Sequence, residues 1–198
     1  MIFVARRDVT SYVSTEITTG KKGSQSRKPV IEGETWFPDG KRILLAGTEA
    51  DHGLRLYTQD IDADKIAPVT PEGTNGLSFA LSPDGSTVAA VGPDDKGYLF
   101  PIPSGDPRPI KGMEPGEVPV GWSTDGHSLY VYRGGDLPAK VYRVDLSSGN
   151  RALWKQLMPP DPAGVEFVGP VLPTPDGKSY VYGYRRLLSD LYLVEGFQ

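Results

Sequence analysis

The chain has 198 residues, with 24 Gly, 19 Pro, no Cys and a formal net charge of −4. Without cysteine there is no disulfide frame, thiolate metal site or cysteine nucleophile, and a mildly acidic surface of mixed sign gives no basic field for a nucleic-acid backbone. Gly and Pro at this density exclude long helices, since they cost about 1 and about 3 kcal/mol in a helix interior; the length suits one large all-β domain or two small ones.

The chain opens on "MIFVARRDV", apolar first and basic second, the reverse of a secretory signal. No stretch approaches the ~20 apolar residues that cross a bilayer. Two readings stay open: a cytoplasmic protein, or a piece of an exported one.

From residue 35 the sequence repeats itself. Pro38-Asp39-Gly40 returns as Pro83-Asp84-Gly85, Thr124-Asp125-Gly126 and Pro175-Asp176-Gly177, so the aspartates lie 45, 41 and 51 residues apart. Periods of this size with several short strands in each mark the blades of a β-propeller. Pro suits the second position of a type I turn and Gly the fourth, and Ser82, Ser123 and Thr174 stand at the first, where a hydroxyl can bond the turn. Thr124 replaces Pro in the third copy and is expected to loosen that turn.

Each turn is preceded by a strand carrying Trp36, Leu81 or Trp122 three residues before the aspartate. Each is followed by a brief apolar run, "ILLAG" at 43, "VAAVG" at 88, "LYVY" at 129 and "YVYGY" at 180. Such a run predicts a second strand covered on both faces. Third strands follow at 54–61, 98–103, 140–146 and 190–195, with Tyr57, Tyr98, Tyr142 and Tyr192 at matching places. Ser-Gly turns and an outer strand such as "RALWKQL" close the unit.

The spacing therefore predicts an all-β propeller of four-stranded antiparallel blades, with complete blades at about 35–75, 77–116 and 118–168 and partial ones at 1–33 and 169–198. In the first partial unit, Tyr12 to Gly20 aligns with "VYRVDLSSG" at 141–149, so its innermost strand is missing; the last unit lacks its outermost one. A chain that begins inside a blade is expected to be a fragment of a longer protein, or part of a ring completed by another chain.

The aromatic-S-P-D-G turn, the apolar strand, the "LYxxD" strand and the Ser-Gly turn together resemble the tolB-type propeller repeat of bacteria. The ending "SDLYLVEGF" also resembles the C-terminus of propellers that follow a kinase or winged-helix domain in multidomain bacterial regulators. The resemblance implies a sensory or protein-binding module without catalytic residues of its own, in the periplasm or elsewhere outside the cytoplasm. It also implies an alternative, a propeller that gates a serine peptidase. A third possibility is a structural piece whose open blade edges pair between copies into a homo-oligomer.

Candidates for chemistry are few. There is no G-x-S-x-G and no phosphate-binding glycine loop, so no catalytic residue and no cofactor is expected. His127 follows a turn glycine and reads as an exposed hairpin residue. His52 lies in "TEADHG" near Glu49 and Asp51, where a solvated loop is the plainer reading than a metal site, and no metal is expected. The recurring acids that end the third strands, Glu16, Asp60, Asp145 and Glu195, are expected to serve the following turns.

One rim of the disc should gather two sets of loops. Those leading into the innermost strands hold Glu34, Glu72, Glu117 and Glu166; those after the second strands hold Asp51, His52, Asp94, Asp95, Arg133, Asp136, Arg185 and Arg186. A mouth lined with these carboxylates could hold a cation or a basic peptide, and the plainer alternative is a solubilising rim. Tyr130, Tyr132, Tyr180, Tyr182 and Tyr184 alternate along strands and are expected to pack blade on blade.

Overall fold

The computed structural model describes residues 30–49, 51–62 and 66–188. The expectations for 1–29, including Tyr12 and Glu16, and for the strand at 190–195 with Tyr192 and Glu195 lie outside the described residues.

Among the described residues there are strands and no helix. The first sheet holds β1 (Val30–Trp36), β2 (Arg42–Thr48), β3 (Arg55–Asp60) and β4 (Ile66–Pro68) in that order. The second holds β5 (Phe79–Leu81), β6 (Thr87–Val91), β7 (Gly97–Pro101) and β8 (Arg108–Pro109). The third holds β9 (Glu117–Trp122), β10 (Ser128–Arg133), β11 (Ala139–Asp145) and β12 (Arg151–Leu157), and the fourth pairs β13 (Val165–Pro173) with β14 (Tyr180–Arg186). Every pairing is antiparallel between strands adjacent in sequence.

The Pro-Asp-Gly repeats make the turns between first and second strands. In each, the glycine N–H donates to the carbonyl three residues earlier, at 3.0, 2.9, 2.9 and 2.8 Å in chain order. All four glycines have φ between +66° and +71°, a region that a Cβ would disfavour. The hydroxyls of Ser82, Ser123 and Thr174 donate to the turn aspartates at 2.6, 2.5 and 2.6 Å. Each also accepts the N–H five residues on, which closes the hairpin. Thr124 does not loosen its turn. The N–H that proline would have removed donates to Pro175 O at 2.9 Å, tying the third turn to the fourth.

Side chains on a strand alternate between its two faces, and the second strands use both. Val88 and Ala90 join Leu44, Ala46 and Leu56 between the first and second sheets. Ala89 faces the other way, toward Leu129, Val131 and Val144 of the third sheet. Tyr130 and Tyr132 then meet Val168 and Val171 of the fourth. Full burial of each Leu or Val contributes roughly 1.5–3 kcal/mol, so the described sheets are held together mainly by packing face to face.

Burial on both faces holds for β2, β6 and β10 but not for β14. Its Tyr180, Tyr182 and Tyr184 turn toward the third sheet, where Tyr180 meets Trp154 at a ring separation of 5.6 Å. Val181, on the opposite face, is 48% exposed because no described sheet packs there.

Candidate functional site

The first strands of the four sheets, β1, β5, β9 and β13, line a common groove of about 570 Å³. Bulges shape this wall. Tyr130 pairs with Gly121 and Val131 with Pro119, which leaves Val120 as the extra residue in β9. A similar irregularity in β13 spans Gly169 and Pro170. Proline cannot donate to a ladder, so it is tolerated where the ladder is already interrupted.

Hydrogen bonds between sheets fix the spacing of these inner strands. Trp122 Nε1 donates to Ala80 O at 2.8 Å, and Ser78 Oγ donates to Pro119 O at 2.8 Å. The groove surface is largely apolar, with Trp36 47%, Leu77 80% and Leu172 59% exposed. Glu34 is the charged residue among the described residues that line it.

The rim acids are arranged differently from the carboxylate-lined mouth that the sequence suggests. Glu117 is 4% exposed and turns into the space between the second and third sheets. Its Oε1 takes Arg151 Nη2 at 2.6 Å and its Oε2 takes the Glu114 N–H at 2.8 Å. The Arg151 guanidinium lies 4.1 Å from the centre of the Tyr142 ring and bonds Glu114 at 2.9 Å. Arg151 thus ties the outer strand β12 to the segment before β9.

Elsewhere on the rim the charges pair with one another, mostly between neighbouring loops. His52 Nδ1 lies 2.7 Å from Glu72 Oε1, and Gly53 N donates to Glu72 Oε2 at 3.1 Å. The Gly53 amide first, and then His52, hold the Glu72 carboxyl below the usual range. Glu49, placed near His52 by the sequence, faces Arg55 at 3.5 Å. Asp51 sits in the same exposed loop with a φ of +67°. No group of three or more His, Asp or Glu among the described residues could hold a metal ion.

Asp94 accepts the Tyr98 hydroxyl at 2.9 Å and an ion pair from Lys96 at 3.2 Å. Arg133 faces Glu114 at 3.6 Å, Arg185 faces Glu166 at 3.4 Å, and Arg186 meets Asp161 at 3.0 Å. Of the acids on the loops leading inward, only Glu34 belongs to the groove. The turn role expected of Asp60 and Asp145 is seen directly: Asp60 accepts the Asp62 N–H, and Asp145 accepts both N–H and hydroxyl groups from Ser147 and Ser148. His127 is exposed beside its turn.

Sequence reasoning missed the apolar groove itself. Its strands read as short mixed runs such as "FAL", too brief to show a period, and "VEFVGPVLP", whose prolines argue against strand. The available signal was local to the third and fourth units, where Pro119, Gly121, Pro170 and Pro173 interrupt the strand before the turn.

No protein-family model and no curated protein matches the chain. Solved structures do. TolB from Acinetobacter baumannii superposes with a TM-score of 0.61 at 22% identity, over 82% of this chain and 39% of that one. A putative TolB from Agrobacterium tumefaciens gives 0.57 at 21% identity, over 83% and 64%. A prolyl endopeptidase gives 0.52 at 15% identity, over 80% and 26%. The chain spans less than two thirds of each of these proteins. With its antiparallel sheets set side by side around a shared groove, it has the TolB-type β-propeller fold.

Proposed function

We propose that the chain is an interaction module that takes an extended protein or peptide segment into the groove between its inner strands. The observation that carries this reading is the exposure of Trp36, Leu77 and Leu172 on a wall otherwise held rigid by hydrogen bonds between sheets. Large apolar side chains gathered in a concave, preformed site are what a partner's apolar side chains can bury against. Glu34 adds an acceptor for one basic or N–H group. The fitting partner is therefore a segment with apolar side chains and a single cation, rather than the polybasic peptide a ring of carboxylates would select.

The propeller resemblance supports a sensory or binding part of a larger bacterial envelope or signalling protein, working outside the cytoplasm. No helix of the described residues is long and apolar enough to cross a membrane. The fold likeness to a prolyl endopeptidase favours a second reading, a propeller that restricts access to a peptidase domain. The neighbouring reading frame separates the two: a downstream hydrolase elbow favours the peptidase, an upstream kinase signature the receptor.

The binding test is a peptide-library selection on the intact chain, followed by affinity measurements on Leu77→Ser, Leu172→Ser and Glu34→Gln. Leu77 and Leu172 are exposed, so their replacement leaves the core alone. Each Leu replacement should weaken selected peptides about tenfold, equivalent to ~1.4 kcal/mol. Peptides that bind all three variants as tightly as the parent would remove the groove from the account.

A further inference from the structure

On the side of the disc that carries the Pro-Asp-Gly turns, a second cavity of about 1020 Å³ opens between the second and third sheets. Leu99, Trp122 and Leu146 contribute apolar surface to it. Its walls are the turns at 82–87 and 123–128, the Asp145–Ser147 turn, and the side chains of Arg108 and Arg143. The opening has a cause in the sequence. The outer strand β8 has 2 residues where β12 has 7. Pro103, Pro107 and Pro109 lack the N–H that a ladder needs, so this outer segment forms only the pairs Tyr98↔Pro109 and Leu99↔Arg108. The second sheet therefore ends short, and the space beside it stays open.

The hydrogen-bond inventory of the walls is lopsided. Each acid is engaged by its own turn, Asp84 through both carboxylate oxygens and Asp125 and Asp145 through Oδ1. Asp84 accepts the Ser82 hydroxyl at 2.6 Å, the Ser86 N–H at 3.0 Å and the Ser86 hydroxyl at 2.8 Å. Asp125 accepts the Ser123 hydroxyl at 2.5 Å and the His127 N–H at 3.0 Å. Asp145 Oδ1 accepts the Ser147 and Ser148 groups at 2.6–3.1 Å. The donors are not occupied. Among the described residues neither the Arg108 guanidinium nor the His127 ring makes a hydrogen bond. Arg143 has only Asp125 at 4.0 Å, beyond hydrogen-bond range.

A guanidinium offers five N–H donors in a planar fork that suits a carboxylate. What Arg108 and Arg143 lack in this cavity is an acceptor within hydrogen-bond range, and the apolar surface lacks a body to cover it. We infer that it is a binding site for a carboxylate carried on a compact apolar body, with Arg108 and Arg143 as its anchors and His127 as a third donor. The same chemistry occurs in a free aromatic or aliphatic acid and in the C-terminal residue of a peptide. The acids in the walls, although engaged, oppose a second anion, so affinity for so small a ligand belongs in the millimolar range.

The test is a heteronuclear NMR titration of the intact chain. The ligands are phenylacetate, its neutral amide, phenethylamine, and a leucine-ended tripeptide with a free or amidated C-terminus. Saturable shifts at the amides of Ser86, Thr87, His127 and Ser147 are expected from phenylacetate or the free-ended tripeptide and not from the amides or the amine. Phenylacetate alone identifies a small acid, the tripeptide alone a chain end; either upholds the carboxylate. Arg108→Gln should weaken binding about tenfold, and the double variant with Arg143→Gln should abolish it without changing the thermal melt, since both side chains are exposed. No saturable shift from any carboxylate, equal shifts from the amide or amine, or an affinity unmoved by the double replacement would overturn the assignment. A failure of the axial groove to bind peptides would leave this result untouched, because the groove variants Leu77, Leu172 and Glu34 do not line this cavity.

Discussion

Replacing Arg151 by Met tests whether charge at the rim locks the outer strand β12 to β9 and the segment that leads into it. Met keeps the unbranched apolar stem but removes a guanidinium whose contacts with Gly112 O, Glu114 and Glu117 all lie within 3.3 Å. Glu117, with its side chain 3% exposed, is left with the Glu114 N–H as its remaining hydrogen bond. Breaking a buried pair by removing one partner costs about 3–5 kcal/mol. Arg151 is itself 22% exposed, so water can compensate part of the loss and the lower end, about 3 kcal/mol, applies. At about 2–4 °C per kcal/mol for a chain of this size, the calorimetric midpoint should fall by roughly 6–12 °C. Adding Glu117→Gln removes the stranded charge and should restore at least half of that, whereas Glu114→Gln alone, at a side chain 56% exposed, should cost less than about 1 kcal/mol. A coupling energy between Arg151 and Glu117 below about 0.5 kcal/mol in the double-mutant cycle would refute the lock.

Three further outcomes are expected. Thr124→Pro restores the repeat's usual turn residue yet should destabilise by about 1 kcal/mol in a denaturant melt, because it deletes the N–H donated to Pro175 O; a gain in stability would show that this bond is idle. Trp122→Phe removes the indole N–H from the Ala80 carbonyl, which keeps its ladder partner Ala89, and should cost about 0.5–1.5 kcal/mol, read as a lower unfolding midpoint. The Ser82 hydroxyl, followed by the Ser86 groups, lowers Asp84 from 3.8 to about 2. A depressed folded-state value means stability that is complete above pH 4 and lost as the pH falls toward 2, so Asp84→Asn should flatten the acid limb of a pH–stability curve over that window. An unchanged limb would remove Asp84 from acid unfolding.

The sequence made the blades legible because one turn chemistry is repeated, and that chemistry is local: a hydroxyl, an aspartate and a glycine within four residues specify the hairpin wherever they occur. The apolar runs at 88–92 and 129–132 were equally readable, since burial on both faces leaves no polar residue in them. The rim was harder because its outcome depends on distant partners. Glu117 looked like the other acids leading into inner strands, and the arginine that draws it inward stands 34 residues later on the outer strand. Glu166 and Arg185 both read from sequence as mouth residues, but antiparallel pairing of β13 with β14 sets them against each other. The cavity beside β8 escaped notice for a further reason, since a gap left by prolines has no residue of its own to announce it.

The central claim is that the four inner strands enclose the surface where a partner binds. Hydrogen exchange of the intact chain with and without a library-selected peptide tests it most directly. Added protection should fall on Thr35 and Trp36, on 76–81, on 120–122 and on 171–173, with β4 and β12 unchanged. Protection confined to those outer strands or to β14, with none on the inner strands, would contradict it.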